Sequence, residues 1–191
     1  GRDSGFLAAA GALARDEVID SPHLIYLPEV PFEEDVFLGD VERVFNKKGK
    51  VFIVASEGLK DKYGKYAHEN LREVKADAFG NIQMGGVGRY LEHLVKQNIT
   101  KRVKVIELSI IQRCAAHTAS FVDNEVAVMV GKTGVDKIMN GINDIMISIR
   151  KTDNGFKPGT VPLSKVANHT KPFPISRHYV FWFCIACTAF E

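Results

Sequence analysis

Glu57 stands directly after the apolar, β-branched run at residues 50–56 (KVFIVAS) and is followed by Gly58. Open α/β sheets bind ligands beyond the carboxyl ends of their strands, and a glycine there lets a ligand approach the main chain closely. A solvated strand-end acid is the plainer reading of the same residue. Gln112-Arg113 lie just past a second apolar run, residues 103–108, and just before a helical pattern. The planar fork of an arginine suits phosphate or carboxylate, and a helix start adds amide donors; a surface arginine is the alternative. A third candidate is Arg2, within Gly1-Arg2-Asp3-Ser4-Gly5, ahead of another helical pattern whose positive end welcomes phosphate.

Other motifs fail on spacing. Val130-Gly131-Lys132-Thr133 ends like a phosphate loop, but Val126 occupies the place of the first glycine and the stretch lies inside a helical pattern. Gly85-Gly86-Val87-Gly88 is not a dinucleotide fingerprint. The six histidines show no ligand spacing, no serine or cysteine has a nucleophile's local setting, and His117 reads as an early helix residue. Cys184-Ile185-Ala186-Cys187 is spaced like a redox or metal pair, yet a single pair supplies two ligands where a structural zinc needs four.

The elements that must position these residues alternate between helix and strand, the signature of an α/β domain with a mainly parallel sheet. Residues 4–18 predict an alanine- and leucine-rich helix capped by Ser4. Residues 23–27 predict a short buried strand closed by Pro28. Residues 33–48 place Val36, Phe37, Asp40, Val41, Val44 and Phe45 near one face, with acids early and lysines late as the helix dipole prefers. Residues 50–56 read as a central strand. From 59 to 86 the charges and Gly64, Gly80, Gly85 and Gly86 predict loops with a short hairpin or helix. A helix at 87–97, a strand at 103–108, a long helix at 117–140 containing Gly131 and Gly134, and a strand at 144–150 complete the pattern. After the Pro172-Phe173-Pro174 break, residues 179–190 (YVFWFCIACTAF) are almost wholly apolar. They read either as a buried edge or oligomer contact, or as a terminus foreign to what precedes it.

Bulk properties narrow the classes of function. An apolar share of 46% and a charged share of 25% are those of an ordinary soluble domain, and no run approaches the roughly 20 apolar residues that span a bilayer. No membrane role is expected. The 25 basic residues nearly balance the 23 acidic ones, so there is no broad field to draw a nucleic-acid backbone, and any bound anion must be held by a few placed residues. An odd count of three cysteines and the absence of a leader pattern predict a reducing compartment, by default the cytoplasm. The sequons Asn98-Ile99-Thr100 and Asn168-His169-Thr170 are then chance matches.

The three candidate positions fall into one register. Gly1-Arg2-Asp3-Ser4-Gly5-Phe6-Leu7-Ala8 resembles the phosphofructokinase sugar-phosphate motif Met-Gly-Arg-x-x-Gly-x-Leu without its methionine. Residues 23–32 (HLIYLPEVPF) resemble the next strand and turn of that family, Ser56-Glu57-Gly58 its substrate-binding acid, and Ile110-Ile111-Gln112-Arg113 its second sugar-phosphate motif. Four motifs in order cover residues 1–175.

The resemblance implies a Rossmann-like parallel sheet with flanking helices, most of the second domain of a phosphofructokinase fold, and an oligomer with active sites at subunit boundaries. It further implies that Gly1 and Arg2 approach the sugar phosphate and the transferring phosphoryl group. Glu57 would accept hydrogen bonds from sugar hydroxyls, and Arg113, with Ile110, Ile111 and Gln112, would hold the sugar. Lys104 stands where a neighbouring subunit usually lends an arginine to the 6-phosphate, exchanging a fork for a point charge. Ile110 replaces the histidine of many ATP users, Cys114-Ala115 replaces paired glycines, and the stretch from Asp77 to Gly88 resembles the pyrophosphate-using branch.

The implied activity is phosphoryl transfer to the 1-hydroxyl of fructose 6-phosphate, from pyrophosphate in preference to ATP, with magnesium. The donor loop, the magnesium site and the aspartate base of that family are expected upstream of Gly1. The chain therefore reads as a piece of a longer protein, inactive alone, with residues 176–191 of uncertain status. A non-catalytic remnant that binds a sugar phosphate or a partner subunit is the alternative of another class.

Overall fold

The computed structural model describes residues 2–16, 18–70 and 86–175. Gly1, the 77–85 part of the glycine-bearing insert, and the apolar tail with Cys184 and Cys187 lie outside the described residues. The chain divides into two compact units, residues 2–107 with 171–175, and Leu108–Thr170.

In the first unit β1 (Leu24–Tyr26) and β2 (Ile53–Ala55) run parallel, with Leu24 opposite Ile53 and Tyr26 opposite Ala55. Successive strand side chains point to opposite faces, so each face collects its own partners. Leu24, Tyr26, Ile53 and Ala55 join a core with α2 (Glu34–Lys48) and α3 (Val87–Asn98). Ile25, Leu27 and Val54 join Ala8 and Ala9 of α1 (Phe6–Ala10) on the other face. A parallel pair covered on both sides is the α/β arrangement that the alternating patterns predict.

The helix α2 forms for the reasons legible in its sequence. Phe37, Val41 and Val44 recur at helical spacing and are buried, Glu34 and Asp35 occupy the first turn, and Lys47 and Lys48 the last. Gly49 ends it in the left-handed region, φ 68°, with its N–H on the carbonyl of Phe45. Phe37 is wholly buried and meets Tyr26 at 5.3 Å and Phe32 at 5.5 Å between ring centroids, while Phe32 meets Tyr90 of α3 at 5.9 Å. One aromatic cluster thus locks both helices to β1, mostly by edge-on contacts.

Two expectations in this unit are corrected. The helix predicted over 4–18 is a single turn, α1, running into a 3-10 turn at Gly11–Ala14. Its cap is Gly5 and not Ser4, whose hydroxyl instead donates to the carbonyl of Lys171 at 2.8 Å. Past Ala14 helix propensity yields to Asp16, whose carboxylate accepts the amides of Val18 and Ile19. The run 103–108 keeps the alternation of a strand, with Val103 on the core and Lys104 and Ile106 exposed, but it is not a strand. No neighbouring strand supplies its ladder among the described residues.

In the second unit α4 (Ser109–Cys114) and a 3-10 turn at Ala116–Thr118 precede α5 (Phe121–Met139). The long helix therefore starts at Phe121, later than the pattern predicts, because the Ser120 hydroxyl caps it by accepting from the amide of Asp123 at 3.4 Å. The predicted strand at 144–150 is β3 (Ile145–Thr152), paired antiparallel with β4 (Gly155–Pro162). This hairpin was not anticipated, although Asn154-Gly155 is a strong hairpin signal and Gly155 sits at φ 102°. The helix α5 lies on the hairpin at Gly134, where even a Cβ would make only an ordinary contact with Ile147, at 3.8 Å.

Two outcomes follow from this packing. Phe37→Ala should cost about 3–5 kcal/mol in urea unfolding with little change in far-UV circular dichroism. His23 is buried, its Nδ1 accepts the amide of Phe52 at 2.8 Å, and burial holds its pKa below the ordinary imidazole value. The neutral form is thus the native one, so stability is full above the ordinary imidazole value and falls with acidification below it. Comparing unfolding midpoints at about pH 7.5 and about pH 5.5 checks this, with His23→Asn expected to flatten the difference.

Candidate functional site

Because β1 and β2 run parallel, both chains leave the sheet at one edge: β1 through Leu27-Pro28-Glu29 and β2 through Ser56-Glu57-Gly58. The residues before α1, Arg2-Asp3-Ser4-Gly5, cross that edge and are fixed at several points. One oxygen of Glu29 accepts the amides of Gly5 at 2.8 Å and Phe173 at 2.6 Å. Phe173 also meets Phe6 edge-on at 5.1 Å. The returning segment 171–173 is thereby stitched to the first loop.

Arg2 donates to the Glu57 carboxylate at 3.2 Å. Their side chains are 54% and 62% exposed, so each can exchange its partner for a ligand without rearranging the core. Beneath them a Cβ built on Gly58 would overlap the Arg2 carbonyl oxygen and stand 2.7 Å from its carbon. Glycine at 58 is therefore a requirement of main-chain approach, as the sequence suggests, but the approaching main chain is the protein's own. Ser56 adds a hydroxyl donor to the same carbonyl at 3.4 Å.

Next along the loop, Asp3 pairs with Lys60 at 2.6 Å and accepts the hydroxyl of Tyr66 at 3.0 Å. The hydrogen bond from Lys60 is the main cause that holds the Asp3 carboxyl below the usual aspartate range, and Asp3 in turn raises Lys60. The Arg2 guanidinium lies 5.8 Å from the Tyr66 ring centre and the Lys60 ammonium 4.8 Å. Two cations and two carboxylates thus alternate along one edge. The more exposed pair can meet phosphoryl oxygens with Arg2 and hydroxyl groups with Glu57.

The structure brings Arg2 and Glu57 together, as predicted. Lys104 is exposed on the extended segment of the same unit. Ile110, Ile111, Gln112 and Arg113 belong to the second unit, exposed on α4 and not on the strand-to-helix loop the sequence suggests. Ser109 opens that helix at φ 32°, a strained value for a residue with a side chain. Sequence reasoning missed Glu29, Asp3, Lys60 and Tyr66. Glu29 follows β1 much as Glu57 follows β2, so the strand-end rule would have found it. Asp3 meets Tyr66 across 63 positions of sequence, and nothing local signals that contact.

Among the described residues no three acids, histidines or cysteines converge as metal ligands. Among the same residues no helix is long and apolar enough to cross a membrane.

Comparison with known proteins bears on this site. A family model described as Phosphofructokinase matches residues 1–138. The chain is 37% identical over 179 residues to a pyrophosphate–fructose 6-phosphate 1-phosphotransferase of Xanthomonas campestris pv. campestris, covering 92% of this chain and 42% of that protein. It is 38% identical over 184 residues to the protein of the same description from Rhodospirillum rubrum, covering 92% and 45%. The crystal structure of a pyrophosphate-dependent phosphofructokinase from Nitrosospira multiformis superposes with a TM-score of 0.71 at 28% identity, over 98% of this chain and 46% of that one. The chain thus spans less than half the length of these relatives.

The contact beneath Arg2 generates a test. Gly58→Ala should displace the Arg2 main chain and destabilise the fold by about 1–3 kcal/mol, as overpacking does. Thermal unfolding and the amide shifts of Arg2 and Asp3 read this out; unchanged shifts would mean that the main chains do not meet.

Proposed function

The chain belongs to the phosphofructokinase family, and on that premise we propose that residues 1–175 form the sugar-phosphate-binding part of a pyrophosphate-dependent phosphofructokinase. The enzyme moves a phosphoryl group from pyrophosphate to the 1-hydroxyl of fructose 6-phosphate, giving fructose 1,6-bisphosphate. The observation that carries the reading is the exposed Arg2–Glu57 pair at the carboxyl edge of the parallel strands.

In the free protein these two groups neutralise each other. A sugar phosphate entering the edge lets Glu57 accept hydroxyl groups while Arg2, with the main chain of Gly1, turns to phosphoryl oxygens. Neither charge is then left without a partner. Arg113, with Ile110, Ile111 and Gln112, holds the sugar, and Lys104 serves the 6-phosphate bound by a neighbouring copy in a homo-oligomer. Catalysis is positioning together with stabilisation of charge spread over the equatorial oxygens. Magnesium accompanies the donor, and the setting is cytoplasmic glycolysis.

Pyrophosphate is favoured as donor because the relatives described above carry that name and because Ile110 and Cys114-Ala115 replace the histidine and paired glycines of many ATP users. Steady-state assays of the intact enzyme with each donor at matched magnesium test this. A higher kcat/KM with ATP would reverse the donor assignment. Glu57→Gln should keep the fold and lose about 1–3 kcal/mol of transition-state binding, roughly 5- to 150-fold in kcat/KM. Unchanged kinetics would return Glu57 to the role of a solvated acid.

A further inference from the structure

We infer that the short hairpin at residues 59–67 is a positioning element for Arg2, with Lys60 and Tyr66 acting on the arginine through Asp3. The inference rests on the phosphotransferase reading, which gives Arg2 its contact with the transferring group.

The hairpin is anchored at its base and closed at its tip. Leu59 and Ala67 are each 1% exposed, and the amide of Ala67 donates to the carbonyl of Leu59 at 2.9 Å. Lys60 and Tyr66 face each other across an antiparallel bridge, and the Lys60 carbonyl accepts the amide of Phe32 at 2.7 Å, tying the hairpin to the chain leaving β1. At the tip the Asp61 carboxylate accepts the amides of Tyr63 and Lys65, and Gly64 turns the chain at φ 81°. A hairpin so held is a fixed surface, and what it presents is one ammonium and one phenol.

Both converge on a single oxygen of Asp3. Asp3 is the chain neighbour of Arg2, and the Arg2 carbonyl is confined on its other side by Gly58 and Ser56. With the main chain gripped from both sides, the guanidinium is left between the face of Tyr66 and the carboxylate of Glu57. An exposed arginine otherwise samples many rotamers, and a catalytic cation acts only from the few that reach the reacting group. The pairing with Asp3 also occupies the charge of Lys60, which makes Lys60 a support for the site and leaves Arg2 the cation facing ligand.

Kinetics of the intact enzyme test this with Lys60→Met, Asp3→Asn, Tyr66→Phe and the conservative Lys60→Arg. Lys60→Met and Asp3→Asn should each lower kcat roughly 10- to 100-fold with KM for fructose 6-phosphate within about threefold, the signature of a contact realised in the transition state. Tyr66→Phe should lose less, since the ring remains. Lys60→Arg should stay within about threefold of the parent enzyme, and the Asp3→Asn, Lys60→Met double variant should be no worse than the worse single one, because both act through one contact. A raised KM at constant kcat would make Lys60 a direct ligand of substrate and overturn the inference, as would unchanged kinetics. A second readout is independent of activity: the Arg2 guanidinium resonances of the 191-residue chain should show restricted rotation that Lys60→Met abolishes. If the parent enzyme fails to use fructose 6-phosphate, the functional reading falls. If the resonances do not change, the positioning role falls.

Discussion

The carbonyl of Arg2 lies where any side chain at residue 58 would begin. That contact between two main chains closes the carboxyl edge of the β1–β2 pair, and the geometry of the site depends on it. With a side chain at 58, the loop before α1 would stand off from the strand end, and the short reach from Arg2 to Glu57 would be lost. Glycine is the residue that makes the approach possible, and its contribution is the absence of volume.

A contact this tight needs a rigid support on each side. The strands receive theirs from the aromatic cluster of Tyr26, Phe32, Phe37 and Tyr90, which fixes β1 against α2 and α3 with the wholly buried Phe37 at its centre. The loop receives its support from Glu29, one of whose oxygens serves the amides of both Gly5 and Phe173. Residues more than 140 positions apart in sequence are joined by that oxygen, so the return of the chain at 171–173 is part of what shapes the entry to the site.

Charge along the edge is arranged in compensated pairs, Arg2 with Glu57 and Lys60 with Asp3. Exposed pairs of this kind add little to stability, because water screens them and their side chains lose freedom in forming them. Their value lies in the site: the Arg2–Glu57 pair can open to a ligand bearing both phosphoryl and hydroxyl groups, while the Lys60–Asp3 pair stays closed and holds the loop in place. Stability is left to the apolar faces of α1, α2 and α3.

The sequence by itself determined the parts that depend on local periodicity and on short motifs. The pattern of Phe37, Val41 and Val44 with its flanking charges located α2 to within a residue at its start, the runs around residues 23–27 and 50–56 located both parallel strands, and the motifs at Arg2 and Glu57 marked the edge where a ligand belongs. Tertiary structure decided the rest, because it depends on which distant groups meet. Ser4 looks like a helix cap, yet its hydroxyl goes to Lys171 because the returning chain offers a carbonyl there. The apolar run at 103–108 has a strand's alternation but no ladder among the described residues, and β3 took an antiparallel partner because Asn154-Gly155 turned the chain at once. Asp3, Lys60 and Tyr66 carry no local signal of their meeting, since each is an ordinary polar residue until a hairpin anchored by Leu59 and Ala67 brings two of them onto the third.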